Sequence, residues 1–156
     1  MSANVQHGGD IMLYMNTGTD VAPVWTPVAH ATSHSISHGM SPREISSKET
    51  GSYPEIKPGM HSLSTISISG LATWDGFDYY DLLEKKQDRE WIKFKLSGRP
   101  SSDTNAPERT EDVGDKYEEG TGLITELSKE APHDGSATYS CTITVSGKTE
   151  IKEVVA

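Results

Sequence analysis

The chain has 156 residues, which suits one domain with a real core. Its formal charge of −9, from 23 acidic against 14 basic residues, argues against a surface built to grip nucleic acid. No stretch approaches the ~20 apolar residues of a membrane span, and the single cysteine, Cys141, allows no intrachain disulfide and fits synthesis in a reducing compartment.

Only 33% of residues are hydrophobic, or about 42% with the glycines, against roughly 45–50% in typical domains. Serine and threonine fill the difference and fall on alternate positions of strand-like segments, a sign of sheets with one wet face. Residues 1–9 are polar, carry no signal-peptide apolar run, and read as an N-terminal arm. Residues 10–16 (DIMLYMN) form a short apolar run closed by Asn16-Thr17-Gly18, a strand. Residues 25–37 read as one long extended segment whose start Pro27 confines to an edge.

Residues 39–60 hold Pro42, Pro54 and Pro58 and balanced charges: Arg43, Lys48 and Lys57 against Glu44, Glu49 and Glu55. A short strand-like run covers 44–48. Folded as a hairpin, this loop reaches about 30 Å at ~3.3 Å per residue. A compact domain of this size has a radius of gyration near 15 Å, so the loop can touch a neighbour. With Tyr53, those six charges are the candidate assembly contacts.

Residues 63–70 alternate, Ile66 and Ile68 on one face and Thr65, Ser67 and Ser69 on the other. The spacing of three in Phe77, Tyr80 and Leu83 predicts a helix over 77–87, with Asp75 as N-cap and Tyr79 and Leu82 widening the packing stripe. Acids early and lysines late complement its dipole. Residues 90–97 place Ile92, Phe94 and Leu96 opposite Lys93 and Lys95, a half-buried strand. Residues 99–120 are a second long loop with seven acids to three bases and too little apolar content to fold alone. Residues 122–128 are a strand and 132–135 a turn. Residues 137–145 alternate most clearly, with Ala137, Tyr139, Cys141, Ile143 and Val145 inward. Residues 148–156 are a C-terminal arm or an edge strand. No repeat of 20–50 residues is present. The fold class is therefore mainly β: one domain over 1–156, a two-sheet antiparallel sandwich or barrel with one flanking helix and long protruding loops.

Candidate sites are few. His30, His34 and His38, on an extended chain, stand about 13 Å apart on one face, too far to share an ion. Cys141 lies on the apolar side of its strand and reads as a small hydrophobe. Asp75, Asp78 and Asp81 are explained by capping and dipole complementation. Trp25, Trp74 and Trp91 lack the basic stripe of a base-stacking platform and suit core or interface anchors. No P-loop, G-x-S-x-G, H-E-x-x-H or EF-hand pattern occurs. No catalytic residue, cofactor or metal site is expected.

The order of segments resembles the major tail tube proteins of long-tailed (siphovirus-type) bacteriophages, the TP901-1-like major tail protein family. Its echoes are Gly9-Asp10-Ile11, Arg43-Glu44-Ile45-Ser46-Ser47-Lys48, Pro58-Gly59-Met60-His61-Ser62, Gly120-Thr121-Gly122 and the close of 131–138. The likeness covers about residues 8–147 and rests on the ordered set, since no one motif is diagnostic. The resemblance implies a non-enzymatic virion protein, made in the host bacterial cytoplasm and polymerised into stacked hexameric rings that conduct DNA. It implies the tail terminator, tape measure and distal tail proteins as partners, DNA that passes without specific binding, and no membrane. Thr65, Ser67 and Ser69 are the lumen candidates, because they stay wet without presenting cations. Tube proteins of contractile tails and type VI-like secretion systems are related in fold. The alternative from another class is a monomeric sandwich that binds carbohydrate or a cell surface, which predicts an aromatic binding face.

Overall fold

The computed structural model describes residues 5–155; residues 1–4 of the expected N-terminal arm lie outside it. A 3-10 turn at Gly8–Asp10 leads into β1 (Ile11–Asn16). The 25–37 segment is two strands, β2 (Trp25–Pro27) and β3 (Ala31–Ser37), rather than one. The break is local: His30 takes a left-handed backbone (φ 58°), which a continuous strand does not tolerate. Then come β4 (Arg43–Glu44), β5 (Ile56–Lys57), β6 (Thr65–Leu71), the helix α1 (Tyr79–Gln87), β7 (Ile92–Gly98), β8 (Lys116–Glu130) and β9 (Thr138–Glu153).

Seven strands make one antiparallel sheet in the order β2-β1-β7-β8-β9-β6-β3, and β4-β5 form a separate ribbon. Laid flat, seven strands would span about 29 Å. Yet the two edge strands, β2 and β3, are joined through only residues 28–30, a link of at most about 15 Å. The sheet must therefore curl until its ends face each other. Its two layers are arcs of one sheet, not two separate sheets.

β8 and β9 make this possible. Each runs through both arcs, bending where the register shifts at Glu119/Thr121 and Ile124/Glu126. The N-terminal half of β8 pairs with β7, while the N-terminal half of β9 pairs with β6. The expected C-terminal arm or edge strand is thus the end of β9, with residues 150–153 paired to residues 116–119. A Cβ on Gly122 would stand 2.5 Å from the Thr144 carbonyl oxygen, so the close β8–β9 approach requires glycine there.

One core fills the curl. Leu13 and Met15 from β1 and Ile92 and Phe94 from β7 meet Ile66, Ile68, Cys141, Ile143 and Val145 from the other arc. Burying such a side chain contributes roughly 1.5–3 kcal/mol. The period-two patterns of β6 and β9 thus direct one face inward and leave Ser and Thr outside.

The helix differs from expectation at its start. It begins at Tyr79, not Phe77, and its N-cap position is Asp78, not Asp75. The Asp78 carboxylate, almost fully buried, does not cap the helix; it accepts the Thr73 N–H at 3.1 Å and the Thr73 hydroxyl, closing the preceding turn. The packing stripe moves accordingly. Leu82 is fully buried, with Tyr79 and Phe77 packed against the core, whereas Tyr80 is exposed and Leu83 only half-buried.

The acidic 99–115 loop is pinned by polar contacts rather than apolar ones. Buried Asp10 accepts the backbone N–H groups of Glu108 and Arg109 at 3.1 and 3.2 Å. Arg99 Nε donates to the Gly9 carbonyl, and its Nη1 pairs with Asp103. Arg109 bridges Asp112 and Asp115.

Candidate assembly surfaces

The outward face of the arc β8-β9-β6-β3 is a field of hydroxyls. Across the register, Ser33, Ser35 and Ser37 of β3 stand opposite Ser69, Ser67 and Thr65 of β6. Those in turn stand opposite Ser140, Thr142 and Thr144 of β9. Ser37 and Thr65 share a hydrogen bond of 3.0 Å, Ser128 and Ser140 one of 2.6 Å, and Thr125 and Thr144 one of 3.1 Å. The charges beside these rows are Glu126 and Glu130 at the β8 margin, and farther along β9 Lys148 and Lys152 line a hollow with Lys93. Lys129 alternates to the other side, opposite buried Tyr139. Of the three expected lumen residues, Ser67 and Ser69 are exposed here and Thr65 is half-buried. Lys93 and Lys95 lie on β7, separated from β6 by β8 and β9. There Lys93 pairs with Asp20 at 2.8 Å, and Lys95 sits over the Tyr117 ring at 4.6 Å.

The second surface is the β4–β5 arm. Its rungs are Met40 against His61, Ser41 N–H to the Met60 carbonyl, Arg43 against Lys57, Glu44 against Ile56, and Ile45 N–H to the Glu55 carbonyl. The five steps from Met40 to Ile45 carry it about 17 Å from its root. The strand expected over 44–48 is shorter, because Lys48 and Glu49 belong to a 3-10 turn at the tip. A Cβ on Gly59 would lie 1.9 Å from the Ser41 carbonyl oxygen, so the two sides close only over glycine. Among the described residues, none of Arg43, Glu44, Lys48, Glu49, Glu55 and Lys57 forms an ion pair. Tyr53, Ile56 and Met60 are exposed beside them.

A third surface was only partly legible in the sequence. Trp74, 89% exposed, stacks on Tyr80 at 6.3 Å and 17°, and Tyr79 meets Tyr80 edge-on. The Lys129 ammonium lies over Trp74, Tyr79 and Tyr80 and donates to the Tyr80 hydroxyl at 3.0 Å. The register that brings β8 to the helix supplies this lysine, and no local pattern announces it.

Groups with chemical potential are occupied elsewhere. Burial pushes the Cys141 thiol up to about 12, leaving it a small hydrophobe rather than a nucleophile. His34 faces the core, and burial holds its imidazole below its ordinary range. His30 ends at the β2–β3 turn and His38 at the arm root, so the three histidines do not converge. Among the described residues no group of three or more His, Cys, Asp or Glu is placed to hold a metal ion.

A family model described as phage tail tube protein matches residues 5–150. The chain belongs to the phage tail tube protein family. The tail tube protein is thus a structural, tube-forming component of phage virion tails. Its fold is similar to the tail of an empty gene transfer agent particle solved with six-fold symmetry, at TM-score 0.72 and 18% identity over 95% of this chain and 99% of that one. It is also similar to the SPP1 tail tube, at TM-score 0.70 and 12% identity over 96% and 80%. The tube-terminating cap of the anti-feeding prophage is a further neighbour, at TM-score 0.64 and 15% identity over 99% and 97%. No curated protein matches the sequence. No helix among the described residues is long and apolar enough to cross a membrane.

Proposed function

We propose that six copies of the tail tube protein close into a ring, that rings stack into a tube, and that the β8-β9-β6-β3 hydroxyl face lines its lumen. The observation that carries this reading is the division of labour on the surface. The hydroxyl rows of β3, β6 and the first half of β9 are wet and carry no cation, while the arm exposes six charges that form no ion pair among the described residues, together with Tyr53, Ile56 and Met60. A conduit must not bind the polyanion it passes, since every phosphate neutralised by Lys or Arg adds affinity and friction. Six-fold closure is supported by the symmetry of the gene transfer agent tail.

The arm is the contact between neighbouring copies or rings. Unpaired charges of both signs set register across an interface, and the apolar residues beside them supply the buried centre. Trp74 and Tyr80, stacked on each other with Lys129 over both rings, form a second anchor of the kind that dominates interface energy. The reading assigns the chain no catalytic chemistry and no cofactor. Its partners are further copies of itself, then tail terminator, distal tail and tape measure proteins, with DNA in transit. The resemblance to a tube-terminating cap supports ends built from similar folds.

Replacing residues 41–58 by a short Gly-Ser linker tests this. The monomer keeps its near-native circular dichroism and melting temperature, because the arm adds nothing to the core. Negative-stain microscopy then finds no tubes where the wild type forms them. Normal tubes from the variant would refute the arm's role.

A further inference from the structure

The arm leaves the body just after His38 and returns to it at Ser64, so whatever holds these two residues sets how the arm stands. His38 Nδ1 lies 2.7 Å from Ser64 Oγ, and its Nε2 lies 3.5 Å from Glu118 Oε1 on β8. One imidazole therefore touches the outgoing stem, the returning stem and the opposite arc. Ser64 is also fixed to β9, its carbonyl accepting the Val145 N–H at 2.8 Å. Glu118 pairs in register with Leu96 and Ile151, and its second oxygen, Oε2, is buried without a hydrogen-bond partner. A buried acceptor left unmet is costly, so this corner is short of a donor.

A neutral imidazole donates from one nitrogen only, whereas the protonated ring donates from both. With the proton on Nδ1, the Nε2 lone pair faces a carboxylate. With it on Nε2, the Ser64 hydroxyl must turn to donate. Protonation removes the choice and places a positive charge opposite Glu118.

We propose that His38 is a proton-operated latch at the arm root: protonated, it ties both stems to Glu118, and neutral, it lets the arm swing. The surroundings fix the sign. Leu96 and Ile151, beside Glu118, are apolar. Lys152, which is near in sequence, is committed to Glu119 and Glu150. Burial lowers the pKa of His34, four residues back on the same face. His61, on the returning stem opposite Met40, is exposed and adds no opposing carboxylate. Glu118 is thus the charge that His38 meets. The consequence for polymerisation rests on the arm's role between copies; the latch itself does not.

Hydrogen exchange on the full-length protein, read as protection factors for residues 39–64 at about pH 5.5 and about pH 8, spans the range in which histidine changes charge. Protection at the arm root rises about two- to fivefold at the lower pH, the size of a half-exposed ion pair. His38→Gln keeps a donor and an acceptor but cannot titrate, and it removes the difference. Should that variant fail to fold, Glu118→Gln removes the partner charge and shrinks the same difference. Equal protection at both pH values in the wild type, or an unchanged pH difference in either folded variant, overturns the latch. A failure of the arm's assembly role would show separately, as tubes from the linker variant.

Discussion

At the scale of single residues, half-buried His34 is a titratable group turned toward the core. His34 points inward beside Ile36, and its Nε2 is buried with no hydrogen-bond partner. Burial holds its pKa below the ordinary value, because the charged ring would lose its water. The sign follows. The unfolded chain accepts a proton near pH 6.5 while the folded one resists it, so stability is full above that pH and falls as the solution is acidified below it. Thermal unfolding should give a lower Tm at about pH 5.5 than at about pH 7.5, and His34→Leu should flatten that slope. A variant as acid-sensitive as the wild type would move the effect to another group. This global measure is distinct from the arm-root protection set by His38, which moves in the opposite direction with pH.

At the scale of elements, the helix separates what periodicity can show from what it cannot. A spacing of three is satisfied by Phe77, Tyr80 and Leu83 and equally by Tyr79 and Leu82; only the start of the helix decides between them. That start depends on Asp78, whose carboxylate is taken by Thr73 across the turn, a partner no window of spacing identifies. Leu82→Ala should cost about 2–5 kcal/mol in chemical denaturation. Tyr80→Ala should cost at most about 1 kcal/mol, through its contact with Lys129. Reversed magnitudes would restore the other stripe. The strands were easier to read. In β6 and β9 the alternation is a direct imprint of one buried and one wet face, so Ile66, Ile68, Tyr139, Cys141, Ile143 and Val145 were legible from period alone. The order of strands was not, because pairing β9 to β6 is a choice between segments some 70 residues apart. Nor was the order of the acidic loop, which hangs on Asp10, roughly a hundred residues away in sequence.

At the scale of the whole molecule, curling the sheet turns an unremarkable composition into two unlike sides. The lysines of β7 are placed on one arc, paired to Asp20 or seated on Tyr117, while residues 33–37 of β3, 65–69 of β6 and 140–144 of β9 turn rows of hydroxyls outward. If that arc lines a six-fold tube, one substitution there is repeated six times in every ring. Ser67 is the sharpest place to test this, being exposed on a strand with hydroxyl neighbours on both sides, Ser35 and Thr142. Ser67→Lys leaves the core untouched and should still yield tubes, since Ser67 belongs neither to the arm nor to the Trp74 cluster. Those tubes should retain short duplex DNA that wild-type tubes release, and retention should fall steeply with salt, because each lysine that meets a phosphate displaces counterions. Ser67→Asp should assemble and retain none, which separates charge from a change of shape. Co-sedimentation of tubes with labelled duplex at about 0.15 M salt reads all three. Lysine tubes that hold no more DNA than the wild type would place the β6 outer face away from the lumen, and wild-type tubes that bind tightly would end the idea of a cation-free conduit.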